Sequence, residues 1–432
     1  MTKNKLCSYA ATAWGFLVIL LCGYTDLAQS KVVEQSDYLT TFHTAGYLVA
    51  HNRAGELYAP EGAKSFAGAP FDKASHEVLK LMPAWMTSEY MYMPLSACVF
   101  APFSFLLPKY SLLVWQVLSF AALMASAFLI SSAAKNKGLS RDTEVTLGWY
   151  ALTFLPLVFN LWIGQAGLVF GLAPLACGFY FLLCGQPVRA GIAWSLTAFK
   201  PQYLVPVAFI LTNQMAQRKF KAAASLGAGL ATIAALNLLL FGPGICHDWL
   251  ATVSLSDRIF SDVKQGVVVH LATSLPRTFI LMFQQHLAIV RPAVYLIAVT
   301  LLAAGLACAA RFSTLLKNVL SSEHQVCLAL ILGIFAAPLV VPHLFFYDLL
   351  MLALAGILVY AFAWEPSVES ALRQAMTVIW CAVNIYAVVM VCHHEYAQPL
   401  ALVTVFLFVY GRMLLVCRGL ASKGDVGSEP VS

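Results

Sequence analysis

From Tyr110 to Ala134 the chain runs "YSLLVWQVLSFAALMASAFLISSAA", with no charged side chain, long enough as a helix to cross the roughly 30 Å hydrocarbon layer of a bilayer. Backbone in lipid must satisfy its own hydrogen bonds, so such a stretch can span only as helix or as part of a closed barrel. Similar apolar runs recur along the 432 residues. The short alternating strands of a barrel do not. The sequence therefore predicts an all-α polytopic membrane protein. Its charged fraction of 11% fits that class, since a soluble domain carries about a quarter.

The formal charge of +6 comes from short basic clusters between apolar runs, the pattern of orientation signals rather than of a nucleic-acid surface. No nucleic-acid partner is expected. The eleven cysteines show no paired or metal-like spacing, and Cys177, Cys184, Cys308 and Cys381 sit inside apolar runs as small hydrophobes. The start, "MTKNKLCSYAATAWGFLVILLCG", has the charge and apolar core of a signal peptide. No A-x-A-like cleavage site follows, so it reads as a retained signal anchor.

Apolar runs and flanking charge place twelve spans near 8–25, 110–134, 145–162, 166–185, 188–200, 202–216, 222–241, 292–310, 325–342, 345–363, 374–392 and 398–416. Both ends are then cytoplasmic. The segment "YMYMPLSACVFAPFSFLLP" (90–108) holds Pro94, Pro102 and Pro108, each lacking a backbone donor. It is read as a helix lying in the outer interface, because counting it as a span would put the basic "KNKGLSR" (135–141) outside. With this choice "KNKGLSR" and "QRKFK" (217–221) both face the cytoplasm, and the inner segments hold an excess of Lys and Arg. The long segments, 26–109 and 242–291, lie outside, so chemistry is expected on the extracytoplasmic side. The chain reads as one transmembrane domain, 1–420, followed by a disordered cytoplasmic tail, 421–432.

Polar groups gather near the outer ends of these spans. Asp37 follows Ser36 and could simply begin a helix, with Ser36 as cap. On a helix over 37–51 lying along the membrane surface, however, Asp37, Thr41, Thr44 and Leu48 share one face, where an acid can look into a cavity between helices. Gln165 occupies an outer turn, "LWIGQAG", and could serve loose helix ends there. Lys200 precedes Pro201 between two stretches too short to cross comfortably, so its ammonium must snorkel or meet an anion, a lipid phosphate being the functional choice. In "VVPHLFFYDLL" (340–350), His343, Tyr347 and Asp348 stand at the mouth of another outer hairpin. His343 and Tyr347 are four apart, as on one helix face, although a capping histidine is the simpler account. The doublet His393–His394 with Glu395 is weak evidence for a metal.

Five stretches, "SDYLTTFHTAGYLVAHNRAGELY", "YMYMPLSACVFAPFSFLLP", "NLWIGQAG", "AGIAWSLTAFKPQ" and "PHLFFYD", occur in the order and spacing that resembles glycosyltransferase family 87, over about residues 30–355. The resemblance implies a GT-C-type fold of about 12 transmembrane helices with juxtamembrane helices on the extracytoplasmic side. It implies an inverting glycosyltransferase that moves a sugar, mannose first among the choices, from a polyprenyl-phosphate-linked donor to a lipid or glycan acceptor, in a bacterial inner membrane. By position it makes Asp37 the general base, and it brings Lys200, His343, Gln165, Tyr347, Asp348 and Tyr92 to the substrate. His43 stands where many relatives have tyrosine after the equivalent of Phe42. No cofactor or metal is implied, because a prenyl phosphate leaves with its own anionic oxygens and no DxD motif or acidic pair is present. The scheme needs Asp37 to face a cationic cradle across a gap the size of one sugar.

A lipid transporter or flippase is the alternative, and it predicts ionisable groups at the bilayer midplane and symmetry between halves. A non-catalytic scaffold would leave Asp37 as a helix-start charge alone.

Overall fold

The computed structural model describes residues 34–139, 154–261, 271–316, 320–392 and 399–426, with a few positions between 13 and 28. His393, His394 and Glu395, and parts of the expected spans 8–25 and 145–162, lie outside the described residues. Among the described residues regular structure is helical; the sole β pairing is an isolated bridge between Ala272 and Phe345. Among the described residues six helices are long and apolar enough to cross a membrane: Pro108–Asn136, Lys221–Ile259, Gln284–Leu315, Ser322–Val340, Pro366–Met390 and Leu400–Gly419. The protein is thus integral to a membrane. Several other expected spans are helices, but short ones.

In chain order, a π-helical stretch Tyr38–His43 leads into α1 (Thr44–Ala50), followed by α2 (Pro70–Val78) and α3 (Pro94–Phe100). Then come α4 (Pro108–Asn136), α5 (Leu155–Trp162), α6 (Ala173–Leu183), α7 (Pro187–Ser195) and α8 (Leu204–Ala216). The longest, α9 (Lys221–Ile259), is broken at Gly242, whose φ of 77° is not helical, next to Pro243. After it come α10 (Leu275–Met282), α11 (Leu287–Leu315), α12 (Ser322–Val340), α13 (Met351–Ala361), α14 (Pro366–Cys392) and α15 (Leu400–Val426). The last helix continues to Val426, past the start of the tail read as disordered.

The short helices pair into hairpins whose tips lie at one level. The pair α7 and α8 is joined by 3₁₀ turns, Leu196–Phe199 and Pro201–Tyr203, with Lys200 between them. At 1.5 Å per residue the 13-residue α8 rises about 20 Å, less than a full hydrocarbon layer. A hairpin of such helices that starts at one membrane face would bring Lys200 to the far edge of the hydrocarbon layer or short of it. A second hairpin turns at Gly164 and Gln165, between α5 and the helix continuing into α6. A third turns where α12 ends at Val340, before Pro342, and a 3₁₀ turn (Phe346–Leu350) opens α13. Proline biases the residue before it out of helix, which is why α12 stops there.

The opposite ends of these hairpins meet on the far side. Lys137 at the end of α4 pairs with Glu323 at the start of α12 at 3.1 Å, and Gln217 beyond α8 donates to Gln325 at 3.3 Å. The basic clusters around 135–137 and 217–221 thus share one end of the molecule, and the three tips share the other. A core of buried apolar side chains joins the two levels, with α12 and α13 almost wholly enclosed. The segment 90–108 contains α3 and a short 3₁₀ helix, Ala101–Phe105. It is too short to span and packs beneath α1, with Gly46 set directly against the Phe100 backbone.

Candidate active site

Asp37 begins the π-helical stretch but does not cap it with its side chain. Ser36 Oγ accepts only a long 3.4 Å bond from Leu39 N–H. The Asp37 carboxylate instead turns to the first hairpin tip, where Gln165 Nε2 donates to Asp37 Oδ2 at 2.8 Å. The backbone makes this possible: Tyr38 N–H donates to the Ile163 carbonyl at 3.0 Å. Gly164 then turns with φ of 70°, and a Cβ on it would lie 2.5 Å from Tyr38 Cβ.

The other face of the Gln165 amide accepts a bond. Lys200 Nζ donates to Gln165 Oε1 at 3.0 Å, and also to Asp348 Oδ1 at 3.3 Å. Tyr92 OH reaches Gln165 Oε1 at 3.4 Å. The Lys200 ammonium lies 5.3 Å from the ring centres of both Tyr92 and Tyr347, within cation–π range. Asp348 Oδ2 accepts from Phe345 N–H at 3.3 Å, which closes its own turn. Lys200, Gln165 and Asp348 are buried. Three hairpin tips and the first outer segment thus hold one chain of groups: Asp37, Gln165, Lys200, Asp348.

One anion beside Lys200 is therefore the protein's own Asp348, a partner that the sequence reading, which turned to a lipid phosphate, did not name. A lone ammonium at this depth is costly, and a carboxylate from a neighbouring tip removes that cost. Burial pushes the Asp37 carboxyl above the usual range, against the opposing effects of the Gln165 bond and the nearby Lys200 charge. Glu89, whose carbonyl accepts at 3.4 Å from Thr41 Oγ1, is a second carboxyl in this corner. Burial, with Asp37 and Asp72 nearby, pushes it up to about 8.

A cavity of about 450 Å³ opens beside Lys200. Tyr92, Lys200, Tyr347 and Asp348 line one part; His343, with Ser256 and Phe260, lines another. The intervening walls are largely apolar, with Trp249 and Val253 from the second half of α9, Val205 from α8 and Leu302 from α11. The sugar-sized gap expected between Asp37 and the cations thus extends from Lys200 towards His343. Asp37 does not line it, nor does Gln165; Asp37 stands two hydrogen bonds behind the lining, through Gln165 and then Lys200. Nor does α1 form a wall; the segment 91–93 does.

His343 and Tyr347 do not share a helix face, because the residues from Pro342 to Phe345 are not helical. Tyr347 faces Lys200, whereas His343 turns to Asp257, its Nε2 lying 2.9 Å from Asp257 Oδ1. Arg277 packs against the imidazole, within hydrogen-bond reach of Nδ1. Arginine only donates, and its Nη2 also lies 2.7 Å from His343 Nε2. Burial lowers the His343 imidazole below its usual range, against the opposing effect of the Asp257 bond. His43 packs away from the cavity, its Nδ1 2.9 Å from Ser111 Oγ, which also meets Tyr38 OH at 3.0 Å.

Residues missed in the sequence are Glu89, Asp257, Arg277 and Arg291. Arg277 had a signal: it is a lone charge in the apolar "LPRTFILM", and an ionisable group in such a run needs a buried partner. Asp257 had none, as its role depends on the bend at Gly242 that brings the end of α9 over the cavity.

The sequence model of glycosyltransferase family 87 matches residues 90–342. The match contains Tyr92, Gln165 and Lys200, stops one residue short of His343, and does not reach Asp37. No curated protein and no solved structure matches the chain.

Proposed function

The chain belongs to glycosyltransferase family 87 and is a membrane-embedded glycosyltransferase; from that premise we propose that it takes a sugar, mannose in first place, from a polyprenyl-phosphate donor. The acceptor is a hydroxyl of a lipid or glycan on the extracytoplasmic face of a bacterial inner membrane, and the anomeric carbon is inverted. The observation that carries this reading is the bond from Gln165 to Asp37, because it joins an acid from the first outer segment to the family-matched hairpin tips and their cavity.

Inversion needs a base on one side of the anomeric carbon and a leaving group on the other. The acceptor oxygen forms its bond to that carbon as the bond to the phosphate oxygen breaks. The electron pair leaves with the prenyl phosphate, and the acceptor proton passes to Asp37, whose carboxylate must turn to the bound acceptor because it does not line the cavity. General-base help of this kind typically contributes 10²–10⁴-fold. A partly desolvated carboxylate with a raised pKa suits the task. Gln165 and Lys200 hold it in place, while Tyr92, Tyr347 and Asp348 border the cavity where the sugar sits. The apolar walls give the start of a prenyl chain an environment like lipid.

The extracytoplasmic assignment is supported by charge. The hairpin tips lie at the end opposite Lys135, Lys137 and the 217–221 cluster, and basic ends face the cytoplasm. The transporter alternative loses support because the ionisable chain is gathered at one level, beside the cavity. The test is direct. Purified protein is incubated with labelled mannosyl- and arabinosyl-phosphoprenols and a crude lipid extract, and products are identified by mass. A glycosylated lipid formed from the mannosyl donor is expected; no product from either donor would remove the proposed donor class.

A further inference from the structure

Two polar poles reach the cavity, one through Lys200 and Asp348 and the other through His343 alone, and their charges differ in sign. At the first, Lys200 pairs with the Asp348 carboxylate and donates to Gln165, whose amide in turn donates to the Asp37 carboxylate. Formally that pole has one surplus negative charge, which is a poor setting for another anion. At the second, Asp257 Oδ1 is 3.3 Å from Arg277 Nη2 and Asp257 Oδ2 is 3.5 Å from Arg291 Nη1. Two guanidinium groups share one carboxylate there, a formal surplus of one positive charge.

The second pole also has unused donor capacity. Arg277 is buried and gives Nη1–H to Ser261 Oγ at 2.7 Å, which fixes its fork. Arg291 keeps a buried Nε–H with no hydrogen-bond partner. Tyr295 OH adds a donor to Asp257 Oδ1 at 3.4 Å. A buried donor without a partner costs free energy, and arginine forks match phosphate oxygens two at a time. His343 is the part of this cluster that lines the cavity, with Arg277 directly behind its ring.

We propose that Arg277 and Arg291, held ready by Asp257 and screened by His343, bind the phosphate of the prenyl leaving group. Lys200 is then a positioning residue for Gln165 and the base rather than the phosphate ligand. This rests on the reading of the protein as a prenyl-phosphate-dependent transferase. Charge on the phosphate grows as the bond to the anomeric carbon breaks, and inversion puts that phosphate on the side away from the base, for which the His343 part of the cavity is available. Fixed cations placed where charge develops are a large catalytic contribution.

The test measures binding, so it needs no turnover. Full-length protein in detergent is titrated with farnesyl phosphate, with farnesol and with a short-chain phosphatidylglycerol, and the affinity gained from the phosphate is the ratio of the first two. R291Q, at a partly exposed site, is compared with wild type, and R277K tests the fork with charge kept; melting temperatures check folding. Wild type should prefer farnesyl phosphate over farnesol. Each variant should lose about tenfold or more of that preference, the scale of a charge-assisted hydrogen bond, with farnesol binding unchanged. If R277K does not fold, R291Q alone decides. A preference retained in R291Q, or none in wild type, overturns the proposal. Equal arginine-dependent binding of phosphatidylglycerol also overturns it, as the site would then serve a headgroup. Sugar transfer on the same variants separates the two readings: transfer with an arginine-independent phosphate preference removes only this assignment. An arginine-dependent preference without any transfer removes the enzyme reading and keeps the anion site.

Discussion

Asp37 has exchanged most of its water for one amide. Burial raises its pKa, and the Gln165 hydrogen bond, made to the ionised form, pulls it back down. A base must be deprotonated to work, so the acid limb of kcat/KM should fall at a pH above the ordinary carboxylate range. Gln165→Leu removes the bond that favours the ionised form and should move that limb further up, besides lowering the rate at its plateau. A pH–rate profile of the variant checks this, and a limb that stays put or moves down contradicts it. The same residues show what can be read from a sequence at this scale. Asp37, Gln165, Lys200 and Asp348 stand out because polar groups beside apolar runs must find partners. Which partner each finds does not stand out: the pairing of Lys200 with Asp348 joins positions far apart in the chain, and no local pattern encodes it.

At the scale of the element, the site exists because three hairpins turn at one level. Pro201, Pro342 and Gly164 set those turns, and all three are visible in the sequence as breaks in apolar runs. Hidden were the depth at which they turn and the bend at Gly242 that carries Asp257 over the cavity. Gly164 gives a clean test, since it combines a left-handed φ with a neighbour 2.5 Å from any added Cβ, whereas Gly185 has φ of 73° and open space around it. Alanine at either position incurs about 1–2 kcal/mol of backbone strain. Gly164→Ala must also displace Tyr38. It should therefore melt at a lower temperature than Gly185→Ala and lose activity as the Tyr38 to Ile163 bond is disturbed; equal melting temperatures would show that the close approach at Gly164 contributes nothing.

For the whole molecule, hydropathy is enough to establish an all-helical membrane protein, because bilayer thickness imposes helix length. Among the described residues six helices are long enough to cross, and the twelve spans read from hydropathy also take in shorter helices and two segments partly outside the described residues. Orientation follows from charge and can be checked by labelling. With the exposed native Cys381 and Cys392 replaced, an impermeant thiol reagent on intact cells should modify Glu61→Cys and leave Lys219→Cys unmodified until the membrane is opened. The reverse pattern would place the cavity on the cytoplasmic face.

The central claim is that the acid of the first outer segment is the base of the transfer reaction. Asp37→Asn keeps the shape and a hydrogen bond to Gln165 but cannot take the acceptor proton. Initial rates with labelled mannosyl-phosphoprenol, on variant protein that matches wild type in melting temperature and membrane insertion, should fall by about 10²–10⁴-fold, with donor binding retained. A folded Asp37→Asn protein that transfers sugar within a few-fold of the wild-type rate would contradict the account.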